Sequence, residues 1–363
     1  GGRCRYDLGL FEVDERSALR VYPYLKPDYM LITNLSRDSI MRNAHPEYIR
    51  DILTKYIPKE TKLILNADDL ICCGIAPENS RVYFGIEKMD TDVTDCVNLI
   101  NDLQICPQCH RRLEYEYRRY NHIGRAYCPH CGFKAPAYDY AGCHVDLDKM
   151  RIDVRDAAGI GHYRLLNESI FNIYNVVSAV ALLREIGYSH AKIEAFFAKL
   201  NIVGSRYDAE TIGSRTLYRL LAKEKNAFAT TRVFDYISGL DGDKEIILMN
   251  SCQGDMKHWS ENTCWLYDCD FEFLNRDNIK NIILCGPRRF DHKLRLLLAG
   301  VPEEKLSFAE RETDAPDKLR LFANDQIYVL YGTDSIALGK KVADQVRTLL
   351  IAKNKEEGEA DEN

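Results

Sequence analysis

The chain has 363 residues, 49 basic against 55 acidic, a formal charge of −6 and 46% hydrophobic residues. That length supports two or three cores, and the balanced charge gives no electrostatic footprint for a nucleic acid. No apolar run reaches the roughly 20 residues that a membrane helix needs, and 13 cysteines without a signal peptide read as reduced cytosolic thiols.

The first 200 residues read as α/β, with strands expected at Gly9 to Val13, Tyr29 to Thr33, Lys62 to Leu65 and Arg81 to Phe84. A helix is expected over Pro46 to Tyr56, ended by Pro58 and Lys59. Polar residues follow three of the strands. Glu12 and Asp14 come after the first, Thr33, Asn34, Arg37 and Asp38 after the second, and Asn66, Asp68 and Asp69 after the third. In an open sheet the carboxyl ends of strands hold ligands. Three such loops offer oxygen ligands for magnesium and donors for phosphate, although Asp and Asn also cap turns routinely. No GxxxxGK[ST] phosphate cradle accompanies them.

An insert over residues 102–140 carries Cys106, Cys109, Cys128 and Cys131 as two CxxC knuckles with 18 residues between them. Each knuckle aims two thiolates at one ion, and two knuckles complete a tetrahedral site, best matched by zinc, although iron fits the same ligands. All four ligand places are filled by protein, which marks the metal as structural. Tyr115, Tyr117 and Tyr120 suggest a hairpin between the knuckles. Arg111, Arg112, Arg118, Arg119 and Arg125 form either a solvated ribbon face or a surface for RNA or protein.

After the insert, Cys143 to Val154 alternates as a strand or hairpin, and Asn167 to Ile186 reads as a long helix. A second helix follows Ser189, and Gly204 marks a junction. A second α/β unit spans 205–350, with strands at Thr216 to Leu221, Glu245 to Met249, Asn281 to Leu284 and Ile327 to Tyr331. Its helices fall near Phe228 to Ile237, Asp291 to Ala299 and Ser335 to Leu350; residues 351–363 read as a disordered acidic tail.

In combination these stretches resemble the MurT family, the ligase-like subunits of bacterial lipid II isoglutaminyl synthase and relatives of the Mur ligases. The resemblance runs through FEVDE at Phe11, ITNLSRDS at Ile32, LNADD at Leu65, the four-cysteine ribbon and FNIYN at Phe171. It continues through LLAKEKNAF at Leu220, WLYDCDFE at Trp265 and CGPRRFDHKLRLLLAG at Cys285. It implies a Mur-ligase-like central ATPase domain over 1–204, entered after its N-terminal strands and phosphate loop, then a smaller α/β C-terminal domain.

The implied activity is ATP-dependent amidation of the D-glutamate α-carboxyl in the lipid II stem peptide, using ammonia from a GatD-type glutamine amidotransferase. The implied place is the cytoplasm, with reach to the inner membrane face. Phosphorylation gives a poor acyl donor a leaving group, and magnesium with cationic side chains neutralises the phosphates. By resemblance Glu12 is the magnesium-site glutamate. Asn34, Asn172 and Asn175 belong to the nucleotide site, the latter two at i and i+3 on one helix. Arg206 resembles an arginine reaching toward phosphate from the second domain, and Asp268 is the acid that joins the glutaminase's Cys-His pair.

Four places depart from the family pattern: Ser169 stands for a glycine, Gly204-Ser205-Arg206 carries an extra residue, Tyr267 replaces a tryptophan, and Ser251 to Asn262 is rearranged. The phosphate loop is either truncated from this sequence or lost in its lineage, and on these residues alone weak ATP binding and little or no synthase activity are expected. Two other readings are a partner-binding homologue with a decayed ATP site and a zinc-ribbon RNA binder.

Overall fold

The computed structural model describes residues 6–37, 45–200, 207–223, 225–249, 263–322 and 325–361. The chain divides into two compact units, Gly1–Ser36 with His45–Asn201, and Arg37–Ala44 with Ile202–Asn363.

The first unit is built on a six-stranded sheet ordered β1-β2-β3-β6-β7-β8. Its strands are β1 (Tyr29–Ile32), β2 (Lys62–Asn66), β3 (Arg81–Ile86), β6 (Tyr140–Asp146), β7 (Arg151–Asp156) and β8 (Gly159–Arg164). The first four run parallel and the last two return as an antiparallel meander. Leu63, Ile64 and Leu65 are all fully buried, the continuous apolar run that a strand covered on both faces requires. The helices are α1 (Ala18–Val21), α2 (Pro46–Tyr56), α3 (Leu70–Cys73), α4 (Ile170–Glu185) and α5 (His190–Phe197). Ile49 and Leu53 of α2 pack with Leu63, Leu65 and Ile71, while α4 lays Val177 and Val180 into the core.

The four-cysteine insert adds an antiparallel hairpin of β4 (Glu114–Tyr120) and β5 (Ile123–Tyr127). Gly124 of β5 is needed where the two strands approach closely, because a Cβ there would lie 2.3 Å from the Tyr117 carbonyl oxygen.

Gly9 to Val13 forms no strand. Its alternating pattern is right, but a strand also needs a ladder partner, and Leu8, Leu10 and Phe11 are 63%, 85% and 65% exposed.

The second unit has a six-stranded sheet ordered β13-β12-β11-β14-β10-β9. These strands are β9 (Tyr207–Ile212), β10 (Arg215–Leu221), β11 (Lys244–Leu248), β12 (Ile279–Cys285), β13 (Leu306–Ala309) and β14 (Gln326–Tyr331). All pairs are parallel except the β9–β10 hairpin. The helices are α6 (Ala227–Gly239), α7 (Trp265–Asp268), α8 (Arg289–Leu298) and α9 (Ile336–Asp361).

The expectation of a disordered tail from residue 351 is corrected: α9 continues to Asp361. An ion pair ties the extension to the sheet. Buried Arg215 forms paired 2.8 Å bonds to the Glu357 carboxylate, and its guanidinium also caps the Leu321 and Phe322 carbonyls. Among the described residues no helix is long and apolar enough to cross a membrane.

Candidate functional site

Parallel pairing sets Ile32 beside Leu65 and Leu65 beside Tyr83, so the loops leaving β1, β2 and β3 emerge at one edge. Side chains tie them together. Asn66 donates to the Thr33 carbonyl at 2.9 Å, and the Leu35 amide donates to Asp69 at 2.7 Å. The expected convergence of loops therefore occurs for Thr33–Leu35 and Asn66–Asp69.

Asp68 and Asp69, however, face inward and are fully buried. Asp68 accepts from the Ile86 amide at 3.1 Å, Arg119 at 2.9 Å, the Tyr174 hydroxyl at 2.7 Å and the Tyr138 hydroxyl. Asp69 caps α3 through the Ile71 and Cys72 amides at 2.9 and 3.2 Å, and its other oxygen takes Leu35. The His122 imidazole lies 3.3 Å from Asp69. Burial pushes the Asp69 carboxyl up, but His122 and the Leu35 amide outweigh it and hold it below the ordinary carboxylate range. Both acids have their lone pairs occupied by protein, which corrects the expectation that they line a magnesium crevice.

The counter-charges come from the ribbon. Arg119, 2% exposed, lies at the end of β4 and also bonds the Ile86 and Glu87 carbonyls at 2.8 Å and Asp92 at 3.2 Å. Its guanidinium stacks over Tyr117 and Tyr174; burial works against its charge, but Tyr174, then Asp68 and Asp92, outweigh it and raise its pKa further. Tyr120 of the same strand meets Phe171 at 4.4 Å between ring centroids, on the first turn of α4. Arg118 sits 3.6 Å over the Tyr115 ring and donates to Asn101, and Arg125 stacks on Tyr138 and donates to Pro136. Three of the five ribbon arginines thus act internally, against the RNA-facing reading. Arg111 and Arg112 remain exposed. This docking was missed because the partners lie 51 to 106 residues apart; the one local signal was a pair of acids closing a strand followed by arginines in an insert.

The sulfurs of Cys106, Cys109, Cys128 and Cys131 lie within 4.8 Å of one another. Cys106–Cys131 and Cys109–Cys128 are 3.7 and 3.6 Å apart, close to the about 3.8 Å edge of a tetrahedron with 2.3 Å zinc–sulfur bonds. Gly132 takes φ +76° to close the second knuckle. The donor set and spacing fit a four-sulfur metal centre.

The other sequence-derived residues are distributed as follows. Glu12 is exposed in the extended segment before α1, and half-buried Asn34 reaches Thr33 at 3.4 Å. On α4, Asn172 is half-buried and donates to the Asn167 carbonyl at 3.4 Å, while Asn175 is exposed. Arg206 and Ser251 to Asn262 lie outside the described residues. A cleft of about 780 Å³ on this unit is lined instead by Arg125, Tyr138, Asp139, Arg155 and Arg184.

In the second unit, α7 is anchored by buried Trp265 and Leu266 and leaves Tyr267 50% exposed. Arg295 of α8 locks it by donating to the Leu266 carbonyl at 2.9 Å and to Glu272. Asp268, its side chain 34% exposed, lies 3.5 Å from Arg37, a residue grouped with this unit. On the outer face of α8, Phe290, Leu294 and Leu298 are 63%, 51% and 64% exposed.

These two units have a Mur-ligase-like α/β fold. A pseudomurein peptide ligase type C from Methanothermus fervidus superposes with a TM-score of 0.65 at 19% identity, over 92% of this chain and 65% of that one. MurF from Acinetobacter baumannii gives 0.55 at 14% identity, over 89% and 60%. In sequence, the chain is similar to the MurT subunit of the glutamine-hydrolysing lipid II isoglutaminyl synthase of Staphylococcus aureus, 28% identical over 298 residues and 81% of this chain. Residues 224–333 match the MurT ligase C-terminal family. The chain spans 65% of the length of that curated relative.

Proposed function

We propose that the chain acts as the ligase-like subunit of a lipid II isoglutaminyl synthase, amidating the D-glutamate α-carboxyl of the stem peptide with ammonia from a GatD-type glutaminase. The similarity to the Staphylococcus aureus subunit, which runs through both units, supports the activity class. The observation that carries the partner is Asp268: a partly exposed carboxylate on a short rigid helix, packed against α8 with its exposed Phe290, Leu294 and Leu298. An acid so presented can fix the tautomer and orientation of a histidine on a docked glutaminase.

Glu12 would ligate magnesium, while Asn34, Asn172, Asn175 and Arg206 would hold the nucleotide. When bound, ATP supplies the phosphoryl group that makes the carboxylate a competent acyl donor. The four cysteines would hold zinc in a structural role, with no position open to water. The protein would work in the cytoplasm, meeting the lipid-linked headgroup at the inner membrane face.

One observation favours a second reading, a partner-binding homologue with a decayed ATP site: Asp68 and Asp69 are committed to the core and offer nothing to magnesium. Magnesium-dependent ATP binding by the full chain separates the two. In the complex with the glutaminase, Asp268→Ala is expected to lower glutamine hydrolysis about a hundredfold or more, leaving complex formation and ATP binding intact. Unchanged hydrolysis removes Asp268 from the catalytic set.

A further inference from the structure

The insert does more than attach a metal to the surface. Its hairpin supplies Arg119 and His122, 2% and 1% exposed, to a pair of buried carboxylates that belong to the loop after β2. The metal-bearing end is continuous with that contact. Cys106 and Cys128 share an apolar cluster with Leu113, Tyr115 and Leu70, and Leu70 directly follows Asp69. The second acid passes the contact on, because Asp69 is the acceptor for the Leu35 amide and Asn66 holds the Thr33 carbonyl. The segment between them carries Asn34.

We propose that His122 and Arg119 are positioning residues: through Asp69 and Asp68 the ribbon hairpin sets the Thr33–Leu35 loop, and with it the presentation of Asn34. The physical argument rests on competition for one carboxylate. Asp69 must accept two amides and the Cys72 thiol of α3, the Leu35 amide and the His122 ring from inside the core. A buried carboxylate that loses one of its hydrogen-bond donors is costly, and relaxes by protonation or by turning toward other donors. Either change weakens its hold on Leu35 first, since the two α3 amides lie on the same short turn while Leu35 is 34 residues away. Arg119 acts in parallel, holding Asp68 between Ile86 and Tyr174 and so fixing the turn on which Asp69 sits. The effect on Asn34 rests on the function proposed above; the effect on Leu35 does not.

The experiment is amide hydrogen exchange on the full chain, comparing wild type, His122→Leu and His122→Gln, with ATP affinity measured on the same samples. In His122→Leu the Leu35 amide is expected to exchange about tenfold faster, within the usual range of site-to-site couplings, while β2 and β3 amides stay at wild-type rates. His122→Gln keeps a donor near Asp69 and is expected to return Leu35 to within about twofold of wild type. ATP affinity is expected to fall and recover in the same order.

Unchanged Leu35 exchange in folded His122→Leu overturns the proposal. So does a uniform rise across β1, β2 and β3, which would mean a purely structural role. If His122→Leu does not fold, His122→Phe carries the test. It keeps a buried ring but no donor to Asp69, so Leu35 exchange must rise, and a wild-type rate there refutes the coupling. If wild type itself binds no ATP, the proposed function fails while the Leu35 result still decides this inference.

Discussion

Replacing Arg119 by methionine keeps most of the side-chain stem and deletes the guanidinium. That group is 2% exposed and contacts Asp68, Asp92, the Tyr174 hydroxyl and two main-chain carbonyls. The substitution leaves Asp68 buried with its cationic partner gone. Breaking one side of a buried ion pair costs about 3–5 kcal/mol. For a unit of this size each kcal/mol moves the midpoint by about 2–4 °C, so the first-unit transition should fall by about 6–20 °C. Differential scanning calorimetry of the full chain resolves this, because the second unit has its own core and should keep its midpoint. Adding Asp68→Asn removes the stranded charge and should recover about half of the loss. A first-unit midpoint within about 2 °C of wild type in the single variant would refute the docking argument.

Asp325 is buried beside Glu245, and burial, then Glu245, push its carboxyl up to about 6. A raised folded pKa means the folded state takes up the proton more readily. Its contribution is therefore full below the ordinary carboxylate value and is lost as pH rises through about 6. Asp325→Asn should stabilise the second unit at pH 7.5 by up to about 3 kcal/mol and have no effect near pH 4; equal effects at both pH values would refute this. Cutting the chain after Leu350 removes Glu357 and should lower the second-unit midpoint, while Arg215→Ala should cost less in the truncated chain than in the full one; additive losses would contradict the pairing. Cys106→Ser should reduce bound zinc, measured by elemental analysis, from one ion per chain to a small fraction of that.

The four-cysteine centre was legible because its information is local: two knuckles, each with its own turn, and a spacing that closes a tetrahedron. The parallel strands were legible for a similar reason, since runs such as Leu63 to Leu65 are apolar without a break. What failed was everything whose partner lies far along the chain. Asp68 and Asp69 read as ligand-facing because acids after strands often are, yet Arg119 and Tyr174, 51 and 106 residues on, consume Asp68. The acidic tail read as disorder by composition, whereas Arg215, 142 residues earlier, gives Glu357 a counter-charge. Gly9 to Val13 had the period of a strand and no ladder. Periodicity reports which face a segment buries, and says nothing of whether a partner stands ready to cover it.

The most direct test of the proposed reaction uses glutamine labelled in its amide nitrogen. The full chain, the glutaminase, lipid II and magnesium-ATP are combined, and the stem peptide is analysed by mass spectrometry. The account predicts one labelled amide on the D-glutamate α-carboxyl, formed only when ATP is present. Label that stays in free ammonia, with the stem peptide unmodified under conditions where the chain binds both ATP and the glutaminase, would contradict it.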